Sequence, residues 1–444
     1  MRPQKKYCIQ LRVLVMGVFL SFSFSASSQR FLSDFDSSYF VKDTIRPILK
    51  RFENLRFTGY IQPQLQLASS PGAPSYNGGN FSTYSKSRFM LRRARVKIDY
   101  LLTENDRLPQ ALFSFQIDAT ERGVVVRDMF LKLFETKRDQ FNLTMGLFAR
   151  PFGYEVNLSS AFRETPERGR MSQILLPSER DLGMMVSYEP QRIKSFLHHI
   201  KLDLGLFNGQ GLSGSTDFDS RKDVISRLYV KPFAMGRFHL SGGLSILQGG
   251  WRNATKYIYE IKKEGNGLPY YSVDSSLTNQ QKIAPRKYQG ADLQVKMNHG
   301  WGETEFRAEY WAGTQPGTSV TTSNPGYLPT VNGLPAPTYM RQFNGAFLLF
   351  LQNIVNPRHQ VMVKYDWYDP NKKLSAGQIG RMGSLTNVGD IRFDTWGLGY
   401  SYQIYPTTRL IFYYDLVRNE RTQLPGYQSD VSDNIFTCRL HFRF

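Results

Sequence analysis

Apolar and polar residues alternate with a period of two along most of the chain. The C-terminus shows this most clearly, with Phe436, Cys438, Leu440, Phe442 and Phe444 alternating with Thr437, Arg439, His441 and Arg443. This period places successive side chains on opposite faces of a β-strand, so one face is apolar and the other basic. A soluble β-sandwich also has a wet and a dry face, so the alternation alone does not separate it from a membrane barrel.

The spacing of the strand-like segments distinguishes these two folds. Sixteen segments carry the pattern: 55–67, 87–102, 110–118, 124–135, 141–148, 181–189, 199–208, 222–231, 237–248, 287–298, 303–312, 343–352, 358–368, 391–403, 408–418 and 435–444. Long connections (68–86, 149–180, 249–286, 313–342, 369–390 and 419–433) alternate with short ones such as 136–140, 232–236, 299–302 and 405–407. An outer-membrane barrel has this asymmetry, because one rim carries tight turns and the other carries long loops. The short connection Ala119–Gly123 is the exception.

The predicted fold is therefore all-β, a transmembrane antiparallel up-and-down β-barrel of about sixteen strands that occupies residues 55–444. In hydrocarbon every backbone polar group must be paired within the protein, and a sheet achieves this only by closing on itself. A barrel of this size encloses a lumen too wide for its own side chains to fill. We therefore expect a water-filled pore.

The N-terminus has the features of a secretory signal peptide at 1–28. Basic residues, an apolar stretch and small residues follow one another as Arg2, Lys5 and Lys6, then Val13–Phe24, then Ala26–Ser28. This predicts export to the bacterial outer membrane. Residues 29–54 would form a short periplasmic N-terminal segment, either a short helix or an ordered lead-in to the barrel, since Ile45, Ile48, Leu49 and Phe52 have helical spacing.

Composition narrows the class and the partners. The chain has 25 Tyr and 32 Phe, yet its mean hydropathy is −0.39, and no apolar run after the leader is long enough for a membrane-spanning helix. Only Cys438 would remain after cleavage, so no intrachain disulfide is expected. The formal net charge is +19, which favours anionic partners. Export argues against nucleic acid and leaves membrane lipid, lipopolysaccharide and small anions.

One strand-like segment carries a ladder of charges. Arg93, Arg95, Lys97 and Asp99 would face the lumen, whereas Ala94, Val96, Ile98 and Tyr100 would face lipid, where a charge near the midplane costs about 2–4 kcal/mol. A row of cations along the wall attracts anions. The alternative is a structural role, in which these cations pair with lumenal acids such as Asp118, Asp128, Glu303, Glu305 and Glu309.

Several segments together resemble the phosphate-selective porins O and P. The matching pieces are Leu91–Tyr100, Arg127–Leu131, Met145–Gly153, Leu158–Ser160, Pro177–Gly183 and Leu206–Gly209. The resemblance covers about residues 60–210, and the remainder is similar mainly in its strand rhythm. It implies a sixteen-stranded homotrimer whose third external connection, here 149–180, folds into the lumen.

The resemblance also implies an anion path through the lumen and this connection. Its candidate residues are Arg93, Arg95, Lys97, Arg127, Lys132, Arg150, Arg163, Arg168, Arg170 and Arg180. Arginine side chains bind phosphate oxygens with two parallel hydrogen bonds. The connection also contains Glu155, Glu164, Glu167 and Glu179, so a loop pinned to the wall by salt bridges is an equal alternative. The terminal Phe444 resembles the signal read by the outer-membrane assembly machinery.

The functional hypothesis is a passive pore favouring small anions, with phosphate or polyphosphate implied by the resemblance. The alternatives are a general or oligosaccharide-preferring pore and an adhesion barrel, since loop segments such as Tyr76–Asn80 suit contact with sugars. We expect no catalytic residues, cofactor or metal. Gly209–Gly214 fits the dinucleotide pattern but no helix follows it, and none of the six histidines accompanies a convincing nucleophile.

Overall fold

The computed structural model describes residues 54–104, 108–191, 196–214 and 217–444. The predicted signal peptide at 1–28 and the predicted segment at 29–54, apart from Asn54, lie outside these residues. Within them, no helix is long and apolar enough to cross a membrane.

Twenty strands, one short α-helix and five 3₁₀ helices of three or four residues make up the regular structure of the described residues. The strands are β1 (Leu55–Ala68), β2 (Ser87–Glu104), β3 (Leu108–Thr120), β4 (Gly123–Phe134), β5 (Phe141–Ala149), β6 (Arg180–Tyr188), β7 (Ile200–Phe207), β8 (Asp223–Met235), β9 (Phe238–Arg252), β10 (Ile258–Lys263), β11 (Pro269–Asp274), β12 (Ile283–His299), β13 (Gly302–Gly317), β14 (Thr330–Val331), β15 (Leu334–Pro335), β16 (Thr338–Asn353), β17 (His359–Asp369), β18 (Phe393–Tyr405), β19 (Thr408–Asn419) and β20 (Ile435–Arg443). The helix, α1, spans Arg170–Leu175.

Sixteen of these strands form a closed antiparallel barrel, namely β1–β9, β12, β13 and β16–β20. Each pairs with the next along the chain, and β20 returns to β1 with Tyr60 opposite Arg443 and Ala68 opposite Ile435. The backbone of Phe444 extends this seam by exchanging hydrogen bonds with Gly59. The all-β barrel prediction is confirmed, and each of the sixteen predicted segments overlaps one barrel strand.

The two rims of the barrel differ as the sequence predicted. Connections at the short-turn rim include 135–140, 236–237, 300–301, 354–358 and 406–407. Those at the long-loop rim include 69–86, 150–179, 253–282, 318–337, 370–392 and 420–434, with the two-residue connection 121–122 as the exception. The hairpin β10–β11 lies within 253–282 and pairs in parallel with the start of β16.

The barrel wall reverses the usual distribution of polarity. Apolar side chains face outward, including Met145, Leu204 and Leu244, which are 61%, 55% and 61% exposed. Polar side chains face inward, such as Thr144 on β5 and Thr437 on β20, and are buried. A continuous apolar exterior is costly in water and favourable in lipid, so this surface suits a membrane.

The long connection 150–179, termed the inserted loop, lies inside the barrel. It carries α1 and packs an apolar cluster against the inner wall, in which Phe152 meets Trp311 edge-to-face at a centroid distance of 4.8 Å. Phe152, Leu175 and Trp311 have no exposed surface, and Phe343 also belongs to this cluster. The side chains of the inserted loop fill part of the lumen. The open cross-section is therefore smaller than a sixteen-strand wall alone would give.

Candidate functional site

The inserted loop is fixed to the barrel wall on opposite sides. Tyr60 of β1 contacts Ser160 at 2.5 Å between their hydroxyl oxygens. Across the lumen, Arg307 of β13 donates two hydrogen bonds to Glu164, at 2.7 and 2.9 Å. Because buried hydrogen bonds to charged groups are directional and costly to break, these contacts hold the loop across the barrel.

A second anchor lies where Lys364 of β17 meets Glu155 of the loop, at 2.6 Å between Nζ and Oε1. Burial opposes ionisation of Glu155, but Lys364 and Arg163 outweigh it and lower the pKa of the carboxyl group. Nearby, Glu309 of β13 accepts hydrogen bonds from the backbone N–H groups of Tyr154 and Glu155. The connection 150–179 therefore folds into the lumen, as the resemblance implied.

Glu167 of the inserted loop forms ion pairs with three arginines of the wall. Arg92, Arg93 and Arg439 approach its carboxylate at 2.8, 2.6 and 2.9 Å. Burial raises the pKa of this carboxyl group, but the three guanidinium groups outweigh that effect and hold the pKa well below its usual range. Glu167 is thus a permanent anion that neutralises part of the basic wall.

Glu179 has a similar role at the other end of the inserted loop. It contacts Arg168 at 3.0 Å, Arg127 at 3.0 Å and Arg163 at 3.6 Å, and it also pairs with Arg180. Arg127 can turn inward because a bulge opposite Gln116 and Ile117 leaves it without a partner on β3. The cations again outweigh burial and hold the pKa of Glu179 well below its usual range.

Most of the ten predicted anion-binding residues thus have carboxylate partners within the protein. The pairs not yet described are Arg95 with Asp118 at 2.8 Å, Lys97 with Asp99 at 2.9 Å, Arg180 with Asp128 at 3.0 Å, and Arg150 with Asp181 at 3.9 Å. Within the described residues only two of the ten, Lys132 and Arg170, make no ion pair, and both contact aromatic rings. The structure favours the salt-bridged alternative for the ladder and for most of the loop arginines.

Two chambers lie on opposite sides of the inserted loop. The loop-side chamber has a volume of about 390 Å³ and is lined by Tyr76, Arg170, Ile174, Phe393 and Asp433, among others. It continues into a narrow passage of about 40 Å³. Arg168 stands in this passage together with the carboxylates of Asp366 and Asp415.

The turn-side chamber is larger, at about 640 Å³, and three arginines contribute to its lining: Arg358, Arg409 and Arg443. None of the three forms an ion pair with any residue in the described ranges. A side pocket beside Arg409 and Arg443 also contains His441. These arginines were not among the predicted site residues, although the basic face of the last strand already included Arg443.

Part of the lumen is filled by packed apolar side chains. Leu349, Met362, Ile411 and Tyr413 project inward from three strands, β16, β17 and β19, and are at most 4% exposed, and Tyr154 of the inserted loop packs against them. The inserted loop and the wall are therefore in direct apolar contact at this level.

The chain is similar to known proteins in its fold and not in its sequence. No protein-family model matches the chain, and no curated protein matches its sequence. Among solved structures it is similar to OprB of Pseudomonas putida, with a TM-score of 0.54 and 9% identity over 91% of this chain and 97% of that one. It is also similar to the outer-membrane channel DcaP of Acinetobacter baumannii, with a TM-score of 0.52 and 11% identity over 88% and 97% of the two chains.

A third similar structure is the anion-selective porin of Comamonas acidovorans, with a TM-score of 0.50 and 11% identity over 88% of this chain and 98% of that one. At such identities the likeness concerns the fold alone. The chain shares the barrel architecture of solved outer-membrane porins.

Proposed function

We propose that this protein is a bacterial outer-membrane porin through which small anions diffuse passively. The apolar exterior and closed backbone pairing support insertion in a bilayer, because every strand finds its hydrogen-bond partners within the sheet. The shared fold with solved outer-membrane porins supports the same class.

The observation that carries the anion preference is the group of arginines in the turn-side chamber. Arg358, Arg409 and Arg443 line one water-accessible volume without ion-pair partners among the described residues. The two carboxylates of the same lining, Glu164 and Glu303, are bound to Arg307 and Lys296. Uncompensated cations in a low-dielectric cleft raise the local concentration of anions. The predicted ladder contributes less, because Arg95 pairs with Asp118 and Arg93 pairs with Glu167, a carboxylate that it shares with two other arginines.

The test is the reversal potential of purified protein in a planar bilayer under a potassium chloride gradient. We expect chloride to permeate faster than potassium. Replacing Arg358, Arg409 and Arg443 with Gln should move the permeability ratio toward one, since three uncompensated charges are removed. Arg421→Gln is the control, because Arg421 is exposed in a connection of the long-loop rim. An unchanged ratio in the triple variant would remove the basis of the proposed selectivity.

Phosphate or polyphosphate is the proposed solute, on the strength of the resemblance to the phosphate-selective porins. Added phosphate should then reduce the chloride current at concentrations where sulfate does not. The competing candidate is a general pore, which the carboxylates of Asp366 and Asp415 in the narrow passage favour. Equal permeability of chloride and potassium would select the general pore over the anion pore.

Assembly and export belong to the same proposal. The side chain of Phe444 is 60% exposed at the end of the closing strand, which leaves it accessible to the assembly machinery. We propose a homotrimer in contact with lipid and lipopolysaccharide, exported through the signal peptide at 1–28. Chemical cross-linking of intact outer membranes should give a trimeric band, and a band at monomer mass alone would contradict this.

A further inference from the structure

The loop-side chamber has the size and the lining of a small-molecule binding site. Its volume of about 390 Å³ lies in the range of small-molecule pockets. Ile174, Val320, Val388, Ile391 and Val431 give it aliphatic sides. An apolar group of modest size would therefore be removed from water on entering it.

Arg170 places a cation in this chamber. Its guanidinium lies 3.9 Å from the ring centre of Phe393 and 4.7 Å from that of Tyr76, and its backbone N–H donates to Asp366. In the described residues nothing accepts a hydrogen bond from its side chain. The two rings contact the guanidinium group through cation–π interactions. The N–H groups in its plane therefore stay available to donate hydrogen bonds to a ligand.

Asp433 places an anion in the same chamber. It is only 3% exposed, its Oδ1 has no hydrogen-bond partner in the described part of the chain, and it does not come within ion-pair distance of Arg170. Burial raises the pKa of this carboxyl group to about 6, and the nearby Arg170 partly offsets that rise. A buried carboxylate oxygen without a hydrogen-bond partner is costly, so a cationic donor beside Oδ1 would stabilise it.

We propose that the loop-side chamber binds a small zwitterion with an apolar body, such as an amino acid with an apolar side chain. Its carboxylate would accept hydrogen bonds from Arg170, its ammonium group would donate to Asp433, and its side chain would lie against the aliphatic walls. Binding here uses Arg170, one of the candidate residues of the anion path, but it is measured without conduction and does not involve the arginines of the turn-side chamber.

Other ligand classes fit this chamber less well. Sugars bind on open aromatic faces, but the faces of Tyr76 and Phe393 are taken by Arg170, and Tyr368 is only 2% exposed. A simple anion would meet Asp433 in the chamber and Asp366 at its narrow end. A simple cation would meet Arg170. Only a ligand with both charges satisfies both groups.

Isothermal titration calorimetry on the full-length protein in detergent micelles tests this inference with three matched probes. L-Phenylalanine has both charges, 3-phenylpropionate has only the carboxylate, and 2-phenylethylamine has only the ammonium group. We expect L-phenylalanine to bind at least about tenfold more tightly than either of the others, the loss expected for one charge-assisted hydrogen bond. Equal binding of all three, tighter binding of either singly charged probe, or no binding of any probe would overturn the proposal.

Variants locate the site and separate binding from folding. Arg170→Gln and Asp433→Asn should each weaken L-phenylalanine binding by about tenfold or more, whereas Arg170→Lys should retain part of it because the charge remains. Arg421→Gln, in the same connection as Asp433 but outside the chamber lining, should bind as the wild type does. β-sheet circular dichroism checks that each variant is folded. Wild-type affinity in folded Arg170→Gln would exclude this chamber.

The pH dependence gives an independent check. The charged groups facing Asp433 are Arg170 on α1 and Asp430 in its own connection, and Arg168, Asp366 and Asp415 lie with it along the narrow passage. Because Asp433 binds ammonium only when ionised, affinity for L-phenylalanine should fall as the pH is lowered through about 6, while the ligand keeps both charges. Asp433→Asn should abolish this dependence. A wild-type affinity that stays constant from about pH 7.5 to about pH 5 would contradict the role of Asp433.

Discussion

Replacing Glu167 with Gln should release the inserted loop from one side of the barrel. The substitution keeps the shape of the side chain but removes the charge that Arg92, Arg93 and Arg439 share. The side chains of Glu167, Arg93 and Arg439 are only 4%, 7% and 2% exposed, so the arginines cannot recover water as a partner without moving. Removing one member of a buried pair costs about 3–5 kcal/mol.

Single-channel recording and limited proteolysis measure the consequence. We expect Glu167→Gln to show a larger and noisier conductance than the wild type, because the loop and the uncovered arginines move apart. Trypsin should cut the variant within 150–179, since arginines that are buried in the wild type become accessible. The control is Glu121→Gln, which removes a pair with Arg122 whose side chains are 42% and 67% exposed and which is worth below about 1 kcal/mol.

Wild-type conductance together with full protease resistance in Glu167→Gln would refute the anchoring role of Glu167.

The pH dependence has a definite sign as well. The pKa of Glu167 is depressed in the folded protein, so its contribution is complete at neutral pH and is lost only as the pH falls through that depressed value. Mild acidification to about pH 5 should therefore leave the wild-type conductance unchanged, because the carboxylate stays ionised.

Three further substitutions test other parts of the structure. Gly153→Ala should loosen the inserted loop, because Gly153 has a φ of 67° and a Cβ there would clash with the carboxylate of Glu309; increased trypsin cleavage would show it, and wild-type resistance would count against it. Leu244→Lys should lower the stability of the barrel in lipid by about 2–4 kcal/mol in urea titrations, and no loss would mean that this face does not meet hydrocarbon. Replacing Arg95 with Gln and Asp118 with Asn together should leave the chloride preference almost unchanged, because the pair carries no net charge; a large drop would restore the ladder as the selectivity element.

The barrel could be predicted from the sequence because its signals are local. Each strand faces lipid on one side and the polar lumen on the other, so apolar and polar residues must alternate along it. In Phe436–Phe444 this alternation can be read directly from the sequence. The alternation of long and short connections then fixed the up-and-down order. Even the exception at 121–122 was visible as a short segment between two strands.

The site was less predictable because its contacts join distant parts of the chain. Arg93 and Glu167 are 74 residues apart, so the pattern around Arg93 shows its face but not its partner. The inward bend of 150–179 came from the resemblance and not from periodicity. The bulge that turns Arg127 inward leaves no local signal in the sequence. That Arg409 forms no ion pair with the described residues becomes visible only when the whole lumen is assembled.

The central claim is that this barrel conducts and favours anions. Its most direct test is the reversal potential of the purified wild-type protein in a bilayer with a tenfold gradient of potassium chloride. The account predicts a potential whose sign shows faster permeation of chloride than of potassium, and a reduced preference when Arg358, Arg409 and Arg443 are neutralised together. A potential of the opposite sign, or a bilayer that stays silent with folded protein inserted, would contradict it.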